Sequence, residues 1–161
     1  MMLRLSRLAH RVVLPLVAVA LAVGLLAAAL PGAALAQNSA QDQYNSGRDM
    51  LQSGDYAGAV NAFSRAISAD PNMAQAYLGR ATAYAYQGNS QAALQDYNQA
   101  LQLQPGLAEA LYNRGVLLAR TGDLQGAVRD LQQAADAFRQ RGDEQTAGLV
   151  SEAINTLQQQ Q

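Results

Sequence analysis

The 161-residue sequence has no cysteine, no tryptophan and no lysine, and its single histidine is His10. Aromatic residues make up 6% and charged residues 14% of the chain. Each absence excludes a chemistry. Without cysteine there are no disulfides and no thiolate nucleophile, and no lipid can be attached to a cysteine near the N-terminus. With its one histidine in the first 36 residues, the rest of the chain can form no Ser-His-Asp arrangement and no His or Cys zinc site. Without lysine there is neither a Schiff base nor a phosphate-binding P-loop. All eleven cations are arginines and face twelve acids, for a net charge of −1.

His10 lies in a segment of its own. Arg4, Arg7 and Arg11 precede any acid, an apolar run follows from Val12 to Leu30, then Pro31-Gly32, then Ala34-Leu35-Ala36. A positive start, an apolar middle and a small-residue end form the pattern of a secretory signal peptide. Cleavage is expected after Ala36, with the Pro-Gly pair ending the signal helix and leaving Ala34–Ala36 extended. The alternative is an uncleaved anchor over residues 12–30, near the ~17-residue lower limit for a bilayer-spanning helix. The arginines are not adjacent, so a twin-arginine signal is not supported. Removing residues 1–36 leaves 125 residues with eight arginines against twelve acids, a net charge of −4 and no histidine. One small domain is expected. A mildly acidic chain with scattered arginines is a poor binder of nucleic acid.

The remainder repeats itself. GDYAGAVNAFSRAISADP begins at Gly54, GNSQAALQDYNQALQLQP at Gly88 and GDLQGAVRDLQQAADAFR at Gly122, each 34 residues after the last. Ala59, Ala93 and Ala127 occupy one column, Ala66, Ala100 and Ala134 another, and the bulky Phe63, Tyr97 and Leu131 a third. Upstream of each phrase stands a small residue, Gly47, Ala81 or Gly115, with Met50, Tyr84 or Leu118 three residues later. Ala59, Phe63, Ala66 and Ile67 fall on one helical face. The glycines punctuate between segments, and Pro71 and Pro105 close the first two units because proline disfavours helix in its predecessor. The unit is helix, tight turn, helix. Small residues mark close crossings: Gly47 is expected to meet Ala59, Ala66 to admit the next unit's first helix, and the bulky column to fill the space between units. A single pair cannot bury its apolar faces, so stacking is required.

These columns resemble the tetratricopeptide repeat family, and the resemblance covers about 100 residues. The units are 40–73, 74–107 and 108–141. Gln43 departs from the aromatic that usually opens a unit, a column held later by Tyr77 and Leu111. The third unit has Arg139 in place of the closing proline, so its second helix is expected to run on towards Arg141. Beyond Gly142, Ala147, Val150, Ile154 and Leu157 form an apolar stripe, read as a capping helix over 142–157 with Asp143 at its start. Residues 37–39 are expected to be a disordered lead, and 158–161 a frayed glutamine tail.

The resemblance implies an all-α solenoid of three helix-turn-helix units and a binding module that takes another protein's peptide or helix in a concave groove. The groove positions it implies are Tyr44, Arg48 and Gln52 in the first unit, Leu78, Thr82 and Tyr86 in the second, and Tyr112, Val116 and Arg120 in the third. Tyr and Arg suit such work, though helix surfaces carry both without any partner. A subset of the family holds carboxylate-ending chaperone tails with lysines and asparagines. Tyr44 and Arg48 open that pattern here and lysine is absent, so such a tail is not expected. No catalysis, cofactor or metal is expected. Asp123, Asp130, Asp136, Asp143 and Glu144 read as a solvated face and as helix starts (Asp55 likewise) rather than as a carboxylate pair. The alternatives are a self-assembling structural component, or a membrane-tethered scaffold if residues 12–30 are kept. Location is expected to be periplasmic or secreted.

Overall fold

The computed structural model describes residues 31–159, so the expected signal start, the anchor alternative over 12–30 and the last two glutamines lie outside the described residues. The chain divides into two compact units, residues 1–36 and 37–161. The described residues form seven helices and no strand: α1 Pro31–Ser53, α2 Tyr56–Ala69, α3 Ala74–Tyr86, α4 Ser90–Leu103, α5 Ala108–Thr121, α6 Leu124–Gln140 and α7 Glu144–Gln158. They build the α-solenoid that the repeat implies, each unit contributing a pair.

Two kinds of joint alternate, and residue chemistry separates them. Within each pair, and again before α7, a glycine takes positive φ: Gly54 at 83°, Gly88 at 80°, Gly122 at 95° and Gly142 at 80°. Only glycine enters that region without steric cost. The next residue, Asp55, Asn89, Asp123 or Asp143, then caps the following helix by accepting the N–H three positions on. Its own N–H reaches back to the preceding helix, as in Asp55 N–H to the Met50 carbonyl at 2.9 Å and Asp143 N–H to that of Phe138 at 3.0 Å. Orphan groups of both helix ends are thereby satisfied by two residues. Between units the chain instead passes through Asp70-Pro71 and Gln104-Pro105, and α3 and α5 start without a side-chain cap. Lacking that proline, α6 runs 17 residues against 14 for α2 and α4 and ends at its cap Arg141, as expected.

Two expectations at the start do not hold. Residues 37–39 are helical, not a disordered lead, and Ala34–Ala36 are helical, not extended. The reason is local: Pro31 stands at the first helical position, where a missing N–H costs nothing, and no further proline follows before Ser53.

The bulky column is pinned from two sides. Phe63 is fully buried, and a β-carbon on Gly47 would stand 2.8 Å from its Cδ1 and Cε1. Gly47 therefore makes room for the Phe63 ring, where the sequence pointed to Ala59: the ring, not the alanine backbone, is what crowds this crossing. Gly79, on α3 of the next unit, faces the same ring. One repeat later Tyr97 is 2% exposed, packed with Ala81 of its own unit. The position equivalent to Gly79 is Asn113, which meets the Tyr97 hydroxyl. One repeat later again, Leu131 packs over Gly115 and shares a cluster with Ala147 of α7. Ala59, Ala66, Ala93, Ala100, Ala127 and Ala134 are all fully buried.

A repeated ion pair joins these layers. The Arg80 guanidinium donates to both Asp96 oxygens, at 2.7 and 2.9 Å, and to Ser64 Oγ at 3.0 Å. Arg114 donates to both Asp130 oxygens, at 2.6 and 2.8 Å, and to Asn98 Oδ1 at 2.6 Å. Each arginine thus holds a carboxylate of its own unit and a side chain of the unit before. Asp96 and Asp130 are buried, so Asp130 is no solvated carboxylate. The bond to Asp96 raises the Arg80 pKa above its ordinary value despite partial burial. The first unit has Ser46 and Ala62 at the corresponding positions and lacks the pair.

Candidate functional site

The first helices α3 and α5 lie side by side and present matching stripes. From α3 come Thr82, Ala85 and Tyr86, and from α5 Asn113, Val116, Leu117 and Arg120, with Tyr97 of α4 beneath. Spacings of three and four residues place each set on one helix face. Between them is an open cleft of about 160 Å³.

Its floor is polar but internally bonded. Thr82 Oγ1 donates to the Leu78 carbonyl at 2.8 Å and stands 3.4 Å from the Tyr97 hydroxyl. Asn113 Nδ2 donates to Thr82 Oγ1 at 3.4 Å. Burial pushes the Tyr97 phenol pKa up, so that hydroxyl stays protonated at any physiological pH. The rim is apolar, with one cation. Tyr86 is 65% exposed and Val116 37%, and Tyr112 stands exposed nearby on α5 at 38%. Arg120 is exposed and forms none of the ion pairs found among the described residues. No carboxylate lines the cleft. Of the four large apolar residues that the described residues leave exposed, three are Tyr86, Tyr112 and Val116, and the fourth is Leu149 on α7. Exposed apolar surface gathered on one face is the unusual observation, since single exposed residues are ordinary.

Four of the nine expected groove residues, Thr82, Tyr86, Val116 and Arg120, are brought together in this cleft, and the others do not line it. Tyr44 is half-buried against Phe63, ring centroids 5.8 Å apart, and Arg48 lies over the Tyr44 ring at 5.9 Å. Gln52 is exposed. Leu78 is partly buried against the core. Four contributors carried no signal in the repeat columns: Ala85, Asn113, Leu117, and Tyr56, which stacks on Tyr86 with centroids 4.9 Å apart and planes 8° from parallel.

Asp123 is committed elsewhere. It accepts the Gly126 N–H at 2.8 Å and caps α6. Among the described residues no three His, Cys, Asp or Glu side chains gather, and no helix is long and apolar enough to cross a membrane.

Known proteins agree with this architecture. Two sequence families, each a tetratricopeptide repeat, match residues 44–108 and 81–155. No curated protein sequence matches the chain. Among solved structures, the TPR2B domain of yeast Sti1 in complex with an Hsp70 peptide is similar at a TM-score of 0.72 and 21% identity, over 76% of this chain and 98% of that one. The second TPR of Spaghetti (RPAP3), bound to an HSP90 peptide, aligns with a TM-score of 0.63 and 26% identity, over 65% and 96%. PcrH in complex with the chaperone-binding region of PopD gives 0.65 and 21%, over 72% and 90%. With three 34-residue helix pairs in register and both matches spanning them, this chain belongs to the tetratricopeptide repeat family.

Proposed function

We propose that residues 37–161 are a non-catalytic protein-binding module that takes a peptide or helix of a partner protein in the cleft between α3 and α5. The observation that carries this reading is the gathering of Tyr86, Tyr112, Val116 and Arg120 on one face, where three of the four large apolar residues that the described residues leave exposed are found. Tyrosine and arginine supply large contact area and a forked donor at low entropic cost. Similar folds are bound to other proteins' segments: the second TPR of Spaghetti to an HSP90 peptide, and PcrH to the chaperone-binding region of PopD. The chain is exported, its leader being residues 1–36; the arginines at its start, the apolar run after them and the small residues at its end support this.

Affinity capture from the host's envelope fraction tests the binding reading. A protein held by the wild-type chain and released by Tyr86→Ala/Arg120→Ala is expected, and an identical set of proteins on both baits would contradict it. N-terminal sequencing of the recovered protein tests export. It is expected to begin at Gln37, whereas retention of residues 12–30 would mean a tethered scaffold.

A further inference from the structure

The cleft has a feature that does not recur along the solenoid. Tyr86 is stacked face to face on Tyr56, yet remains 65% exposed. One repeat later the same two positions are Arg120 and Ser90. The stacked pair therefore occurs at one junction between units and not at the next, and it holds an aromatic ring in place. One face of the Tyr86 ring is occupied by Tyr56, and the ring also lines the cleft. A ring held in place before binding gives up little rotamer entropy when a ligand arrives.

Size and charge narrow what fits. The cleft holds about 160 Å³, close to the ~150 Å³ that accommodates one benzene ring. It is large enough for one aromatic side chain and too small for two. Its floor polar groups are already bonded to one another, so they make no demand for a charged ligand group. Its one charge is Arg120, with no carboxylate on the lining. A carboxylate there is recognised by a guanidinium fork, and a cation is repelled.

We infer that the cleft selects a partner segment bearing an aromatic side chain within three residues of an aspartate or glutamate, the aromatic ring stacking on Tyr86 and the carboxylate meeting Arg120. This rests on the protein-binding reading and adds the partner's chemistry. Three residues of extended chain span about 10 Å, which suits two groups on the rim of a single cleft.

The test is a random peptide library displayed on phage and selected on the full chain, immobilised in mild detergent, with Tyr86→Ala and Arg120→Gln chains in parallel. Tyr86 and Arg120 are both exposed, so neither substitution endangers the fold, and circular dichroism checks this. Enrichment of aromatic–acidic pairs is expected. One enriched peptide, labelled for fluorescence polarisation, is expected to bind Tyr86→Ala about tenfold more weakly. Replacing its aromatic residue by alanine should then cost little more on that background, because the two losses are one interaction. Arg120→Gln should weaken binding and flatten its salt dependence. Enriched peptides without the pair, but released by the groove variants, would overturn the inference and leave the binding reading standing. Pair-bearing peptides indifferent to both variants would overturn it too. No enrichment on the wild-type chain would overturn both.

Discussion

Replacing glycine by alanine inside a helix normally stabilises it by about 1 kcal/mol, because alanine loses less backbone entropy. At Gly79 the sign should reverse. A β-carbon there would come within 2.8 Å of Phe63 Cε2 and closer still to Cε1 and Cζ. The ring has no retreat, since on its other side Gly47 already leaves no room for a methyl group, and Phe63 is 0% exposed. Overpacking of this kind costs about 1–3 kcal/mol, and here it falls on a fully buried ring that Gly47 also crowds, so the upper part of the range applies. Setting the ~1 kcal/mol helix gain against it leaves Gly79→Ala destabilised by about 1–2 kcal/mol. Gly148 is the internal control: it lies in α7 with nothing within 4 Å of its β-position. Gly148→Ala should be stabilising by about 0.5–1 kcal/mol. Urea unfolding followed by circular dichroism reads both, as opposite shifts in midpoint at constant slope. Shortening the ring should rescue the first variant, so Gly79→Ala/Phe63→Leu is expected to lose less than the two single changes combined. If Gly79→Ala proved as stabilising as Gly148→Ala, the pinning of the bulky column between successive units would be wrong.

Two further perturbations separate the contributions of charge. Asp130→Ala leaves the Arg114 guanidinium, 23% exposed, without its carboxylate, though still bonded to Asn98. Removing one partner of a fully buried pair costs about 3–5 kcal/mol, so about 2 kcal/mol is expected at this partly solvated one. Asp136→Ala, whose pair with Arg139 is surface-exposed, should cost less than about 0.5 kcal/mol in the same urea assay. Asp143 is held below the ordinary aspartate pKa, first by the Thr146 N–H at the start of α7. A depressed native pKa contributes stability that is present above the unfolded value and lost on acidification. The difference in melting temperature between the wild type and Asp143→Ala should therefore be full at pH 7 and shrink as pH falls below about 4. A difference independent of pH would contradict the charged cap.

The architecture was legible because its determinants recur. Gly54, Gly88 and Gly122 are required by backbone conformation, the alanine columns by close crossing, and each is written three times at one interval. What the repeat obscured is what fails to repeat, or repeats as a pair. Gly79 stands outside every column because its counterparts are Asn45 and Asn113: a β-carbon at Gly79 would strike the Phe63 ring, whereas Asn113 meets the hydroxyl of Tyr97. The Arg80–Asp96 and Arg114–Asp130 pairs do recur at 34 residues, yet an acid on a helix read alone looks solvated. The period applied to both partners together would have revealed them. The groove was legible by position only, since Tyr44, Arg48, Gln52, Leu78 and Tyr112 fall on the expected helices without lining the cleft. Side-chain packing decides that step: Leu78 is drawn against the core and Tyr44 onto Phe63.

The central claim is that the partner lies between α3 and α5. A photo-crosslinking amino acid placed in the living host at Val116 in the cleft, at Arg129 in the separate hollow between α4 and α6, or at Leu149 on α7 tests it directly. A crosslinked partner from position 116, and none from 129 or 149, is the predicted result. Crosslinks from position 129 or 149 with none from 116 would move the interface off the cleft and contradict the account.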